Sequence, residues 1–223
     1  ANIAIARLPD IDMDEERKSL LIAESHFLRA FCYFELVRLY GSVPLRLGAT
    51  ESLDQTSAPK ASVEEVYGQI ITDLNTAEQG LPVVRENSDV GKPTSGSASS
   101  LLSLVYLTQQ DWQMAKTKAN DVINSGVYSL VPNFPDVFDI QNENHEEIIF
   151  GIQYSNLADF GSGHPAIFNH LGSNHYALVA FSVATIDTVS NIWTNRDFNE
   201  ERYSFTVYDE YVNGDGTFVD ISS

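Results

Sequence analysis

A length of 223 residues, with 43% hydrophobic and 20% charged side chains, is ordinary globular composition and ample for one sizeable core. Asp and Glu number 31 against 13 Lys and Arg, a formal net charge of -18. That field repels phosphate backbones and anionic lipid surfaces, so it argues against nucleic-acid binding. With Cys32 as the only cysteine, neither an intrachain disulfide nor a cysteine-based zinc cluster can form, and the thiol is expected to be buried as a small hydrophobe. No run approaches the roughly 18 apolar residues of a membrane helix. The chain begins at Ala1 and enters helical pattern almost at once. Both ends are therefore expected to be cuts through a longer protein, with any targeting signal lost alongside.

Leu20 to Tyr40 reads as one helix. Phe27, Phe31 and Phe34 recur at helical spacing, as do Leu28, Cys32, Leu36 and Leu39. Two apolar stripes predict a helix buried between neighbours. Glu24 and Arg29 lie in a segment too apolar to leave them bare, which predicts a fold-defining polar network. Gly41 and Pro44 end the helix. Residues 41–61 form a connection of a length that is often functional.

Ser62-Val63-Glu64-Glu65 has capping-box form and opens a second helix. Val63, Val66, Tyr67, Ile70, Ile71, Leu74 and Ala77 mark its apolar face, and Gly80 and Pro82 end it. Residues 83–97 read as a loop. Thr94 caps a third helix carrying Ala98, Leu101, Leu102 and Val105. Asp111 caps a fourth, with Ala115, Ala119, Val122 and Ile123 facing inward and Gly126 at its end. With about one residue between them, these two helices make a tight antiparallel hairpin resembling a tetratricopeptide repeat. Trp112 is expected to pack at that hairpin. The pair at roughly 15–40 and 62–80 reads as a second, distorted hairpin stacked on the first.

After Gly126 the pattern changes. Residues 127–146 are irregular, Ile148 to Tyr154 looks like a short strand, and 155–181 has no period. A short helix is expected around 183–192. Residues 193–223 read as loop or strand with a turn at Asn213-Gly214-Asp215-Gly216. The fold class is mostly α: tetratricopeptide-like helical hairpins over 1–130, then an irregular, loop-rich region with short strands over 131–223 of the same, truncated domain.

Catalytic signatures are missing: no nucleophile elbow, no phosphate loop, no paired-histidine zinc helix. His164, His170 and His175 match no zinc spacing. Asp136, Asp139, Asn142, Glu143 and Asn144 lack the glycine-containing order of a calcium loop. No cofactor, no metal and no enzymatic activity are expected. Binding is better supported. A sugar ring stacks its apolar face on a flat aromatic while Asn, Asp, Arg and His reach its hydroxyls. Trp193 beside Asn195 and Arg196 is the first candidate set, then Tyr176 beside Asn174 and His175, with Phe168 nearby.

Two stretches carry a family resemblance. Ala23-Glu24-Ser25-His26-Phe27-Leu28-Arg29-Ala30-Phe31-Cys32-Tyr33-Phe34, running through Leu36-Val37-Arg38-Leu39-Tyr40-Gly41-Ser42-Val43-Pro44-Leu45, resembles the signature helix and exit of SusD/RagB-like proteins, departing at Ser25 where alanine is usual. Lys92-Pro93-Thr94, Ala98, Leu101-Leu102, Val105-Tyr106-Leu107, Asp111-Trp112, Ala115, Val122-Ile123-Asn124-Ser125-Gly126 and Tyr128-Ser129-Leu130 are similar to that family's hairpin. Asn133-Phe134, Phe138, Asn144 and Glu147-Ile148-Ile149-Phe150 follow in the family's order. The likeness covers roughly residues 20–155 and thins beyond, where Glu201-Arg202 stands in place of an Asp-led motif. It implies a SusD-like fold and non-catalytic capture of glycans at the outer-membrane surface. It also implies a TonB-dependent SusC-like transporter as partner and membrane association only through a lipid anchor outside this chain. RagB-like peptide cargo, or a helical-repeat scaffold for another protein, are the alternatives.

Overall fold

The computed structural model describes residues 1–153 apart from 53, 54, 56, 87, 88, 134, 135 and 138–141, together with the backbone of two short strands further on. Its helices begin where side chains can satisfy free amide groups. After a short helix α1 (Asn2–Arg7) and a 3-10 turn at Leu8–Asp10, Asp14 accepts from the Arg17 amide and opens α2 (Glu15–Tyr40). Ser62 and Glu65 exchange both bonds of a capping box at the start of α3 (Val63–Gly80). Thr94 and Ser97 do the same for α4 (Ser95–Thr108), and the Tyr128 hydroxyl lies 2.9 Å from Thr94 Oγ1. Asp111 accepts from the Met114 amide and opens α5 (Trp112–Asn124). Gly41 and Gly126, at φ +67 and +68, turn the chain out of α2 and α5 in the left-handed region.

Contacts between successive helices fix their direction. Phe34 meets Tyr67, Arg29 meets Asp73, and Ala23 meets Gly80, so α2 and α3 run antiparallel. Glu78 meets Ser99 and the Ser95 amide donates to Pro82, which sets α4 antiparallel to α3. Ser103 Oγ donates to the Ala115 carbonyl, closing α4 against α5. Lys118 on α5 reaches Glu78 on α3 at 2.7 Å, so one carboxylate ties three helices. The result is mostly α, built of stacked helical hairpins, as the periodicity predicts.

The core runs along these contacts. Ala23, Phe27, Ala30, Phe34 and Val37 of α2 pack with Val66, Tyr67, Ile70, Leu74 and Ala77 of α3 and with Ala98, Leu102 and Val105 of α4. Burial pushes the Tyr67 phenol above its ordinary range, with Arg38 partly offsetting this. At Gly80 an added Cβ would stand 2.7 Å from the Ala23 Cβ, so the two helices approach through the smallest side chains available.

Several sequence expectations change. Only one stripe of α2 is buried; Leu28, Cys32, Leu36 and Leu39 are exposed, Leu39 by 71%. The reason is geometric: α3 covers one face of α2, and among the described residues nothing covers the other. Ile123 is likewise 70% exposed, because the inward face of α5 is defined by Ala115 and Val122. Trp112 does not pack at the hairpin but is 62% exposed. The α4–α5 connection takes residues 109–111, not one, with Gln110 at φ +64. Ile148 to Gln153 is not a strand. Its Phe150 is drawn instead onto the core, edge-on to Phe27 and Phe31 at 5.0 and 5.9 Å, while the Ile149 carbonyl takes a bond from Ser97.

By compactness the chain divides into residues 1–130 with 144–152, and residues 131–143 with 153–223. In the second unit, β1 (Glu210–Val212) and β2 (Phe218–Asp220) form an antiparallel ladder, Tyr211 opposite Val219. The expected turn at 213–216 and the helix near 183–192 lie outside the described residues.

Two expectations for stability follow from the caps and the close approach. Ser62→Ala should cost about 1 kcal/mol in urea denaturation, and Thr94→Ala should cost more, because the buried Ser97 hydroxyl and the half-buried Tyr128 hydroxyl also lose a partner. Gly80→Ala should destabilise by about 1–3 kcal/mol despite the better helix propensity of alanine. Adding Ala23→Gly to Gly80→Ala should recover part of the loss; no recovery would mean the two helices do not meet there.

Candidate functional site

The most chemical-looking cluster is buried between α2 and α3. Asp73, wholly inaccessible, replaces an apolar residue within the stripe Val66, Ile70, Leu74 and Ala77. Arg29 donates to it twice, from Nε to Oδ2 and from Nη2 to Oδ1, each at 2.7 Å. His26 Nδ1 lies 2.8 Å and Gln69 Nε2 2.9 Å from the same Oδ1. A carboxylate only accepts, so the His26 proton sits on Nδ1. The remaining Arg29 nitrogen bonds Asn2 Oδ1 at 3.1 Å and the Leu47 carbonyl at 3.2 Å. All three Arg29 nitrogens are thus spent inside the fold. The cluster holds α1, α2, α3 and the 41–61 connection together.

That connection is pinned elsewhere as well. The Tyr33 hydroxyl accepts from the Arg46 amide at 2.6 Å and donates to the Arg46 carbonyl at 3.0 Å, and the Ala61 amide donates to Val43. Glu24, the other charged residue expected in a network, bonds Arg85 at 2.7 Å. Arg85 also donates from Nε and Nη2 to the Pro93 carbonyl, closing the loop that leads into α4. A hydrogen bond from Lys92 holds the Asp89 carboxyl below its usual range on the same loop. Beside it, Val83, Val84, Tyr128 and His145 line a cavity of about 170 Å³.

The larger concavity lies along α4 and α5, opposite the stretch 147–151. It measures about 860 Å³ and is lined by Phe31, Leu101, Leu104, Leu107, Ile123 and Ile148, among others. Its size falls within the range of small-molecule sites, roughly 300–1,000 Å³. Two of its serines, Ser97 and Ser103, spend their hydroxyls on the Ile149 and Ala115 carbonyls. Such a groove can take up an apolar surface. The described residues contain no group of three or more His, Cys, Asp or Glu that could hold a metal ion.

The candidate set Trp193, Asn195, Arg196, Tyr176, His175, Asn174 and Phe168 lies outside the described residues. The groups that sequence reasoning passed over are Asp73 and Arg85. Asp73 carried a signal, an acid on the apolar stripe of α3; Arg85 carried none, since its partner Glu24 lies far away in the chain.

Comparison with known proteins places this frame. Residues 1–107 match the SusD-like_3 family pattern, described as "Starch-binding associating with outer membrane". A SusD-like protein P2 of Formosa agariphila is 29% identical over 95% of this chain and 46% of its own length. A SusD-like protein of Bacteroides ovatus is 31% identical over 66% of this chain and 29% of its own length. The chain therefore spans less than half of the curated relatives it matches. A laminarin-binding SusD-like protein superposes with a TM-score of 0.68 at 31% identity, over 77% of this chain and 40% of that one. A SusD-like protein of Bacteroides fragilis superposes at 0.65 with 32% identity, over 69% of this chain and 31% of that one. The buried Arg29 helix, the capped hairpins and these likenesses agree, and the chain is a member of the SusD/RagB-like family.

Proposed function

We propose that this chain belongs to a surface glycan-binding protein of the outer membrane, one that captures oligo- or polysaccharide and passes it to a TonB-dependent SusC-like transporter without chemistry of its own. The observation that carries this reading is the shared helical frame with glycan-binding relatives. The laminarin-binding SusD-like protein has been named, and a further neighbour, 30% identical with a TM-score of 0.60, was solved with a xylogluco-oligosaccharide. The frame itself suits capture. Its polar groups are tied internally, so a site carried on it would lose little conformational freedom on binding. Anchoring at the cell surface would come from a lipid outside this chain.

Contacts to sugar are assigned to Trp193 with Asn195 and Arg196, and to Tyr176 with Asn174, His175 and Phe168. The reasons are residue type and proximity in sequence: flat rings for the pyranose face, amides and cations for its hydroxyls.

Calorimetric titration of the chain with laminarin- and xyloglucan-derived oligosaccharides should give binding, and a peptide mixture none. Peptide binding without glycan binding would replace this reading by a RagB-like one. Incubation with the same polysaccharides should release no new reducing ends; their appearance would make the protein an enzyme. Trp193→Ala should weaken retention in a polysaccharide affinity gel by about tenfold, from the loss of one aromatic contact of roughly 1 kcal/mol or somewhat more. Unchanged retention removes Trp193 from the site.

A further inference from the structure

Trp112 is the least explained large side chain in the described residues. It occupies the first position of α5 and is 62% exposed, where packing at the hairpin was expected. Among the described residues no hydrogen bond or ring contact engages its indole. An exposed indole leaves a large apolar area in water, and burying it against a partner recovers that free energy.

The backbone beneath this ring is fixed. The amides of Gln109, Gln110 and Asp111 donate to Val105, Leu107 and Tyr106, at 3.1, 3.1 and 2.9 Å. Asp111 holds the Met114 amide by its side chain, and its carbonyl takes the first helical bond from Ala115. A tryptophan here has only its two side-chain torsions left to order on contact, the economy that makes indole rings effective anchors.

The surroundings select the ligand. Leu107 to Gln113 are all exposed, and they set the amides of Gln109, Gln110 and Gln113 near the ring in sequence. Their side-chain amides make no hydrogen bonds among the described residues. Each offers both donor and acceptor, the match for a hydroxyl in either role. The one nearby carboxylate, Asp111, is occupied as the helix cap, and the nearest cation is Lys116, one turn on. The ring is set among neutral amides, with the exposed Leu107 at the start of the same stretch. It matches the apolar face of one pyranose fringed by hydroxyls.

We propose that Trp112, with Gln109, Gln110 and Gln113, forms a surface contact for neutral oligosaccharide at the α4–α5 turn, separate in sequence from the Trp193 and Tyr176 sets. This rests on the glycan reading above and adds a second point of attachment to it. Two contacts on one polysaccharide chain raise retention by effective concentration, without either being strong alone.

The test uses the same oligosaccharides and the whole chain. Trp112→Ala should bind about tenfold more weakly by calorimetry, while Trp112→Phe keeps most of the affinity. Both variants should melt close to the wild type, since the indole is mostly exposed. In a second readout, saturating oligosaccharide should shield part of the tryptophan emission from acrylamide in the wild type, and that shielded part should be smaller in Trp112→Phe. Wild-type affinity and undiminished shielding in the variants overturn this proposal alone. A wild-type chain that binds no oligosaccharide overturns the glycan reading with it.

Discussion

The structure turns on a single buried carboxylate. Asp73 has no access to water and takes bonds from Arg29, His26 and Gln69. An isolated ion there would cost several kcal/mol in desolvation, so the pair is tolerable only because the guanidinium meets it in bidentate geometry and His26 and Gln69 add two further bonds to Oδ1. Through Arg29 the same knot reaches Asn2 in α1 and the Leu47 carbonyl in the 41–61 connection. Breaking one partner strands the others. An apolar replacement of both could pack as tightly, so the service of the pair is register: it fixes which turn of α2 faces which turn of α3.

From that register the rest follows. Phe34 falls opposite Tyr67, and Ala23 falls opposite Gly80, where only small residues let the helices close. Glu78 then sits within reach of Ser99 and Lys118, carrying the arrangement on to α4 and α5. The outcome is a helical frame in which the buried charged groups Lys18, Arg29 and Asp73 are paired. Its surface carries an apolar groove along α4 and α5 and an exposed ring at Trp112.

Much of this frame is written in local pattern. The caps at Ser62, Thr94 and Asp111 depend on side chains within three residues of the amides they serve, and reading them off the sequence succeeds. The buried stripe of α3 is legible for the same reason. Nonlocal facts are not. Which of two apolar stripes on α2 is covered depends on where α3 lies, and the Leu28, Cys32, Leu36 and Leu39 stripe gives no sign of its exposure. Ile148 to Gln153 has strand composition, but a strand needs a partner, and Phe150 finds the core instead. Arg29 was readable as part of a network, though Asp73 as its partner was not. The aromatic and amide sets around Trp193 and Tyr176 rest on residue type, without a spacing rule behind them.

The frame's dependence on Asp73 can be measured directly by a double-mutant cycle of Arg29→Met and Asp73→Leu, followed by urea denaturation. Each single variant should lose about 3–5 kcal/mol, and the double variant markedly less than their sum, giving a coupling of at least about 2 kcal/mol. Single losses below about 1 kcal/mol, or additivity within about 0.5 kcal/mol, would show that the two side chains do not hold the helices in register and would contradict the account.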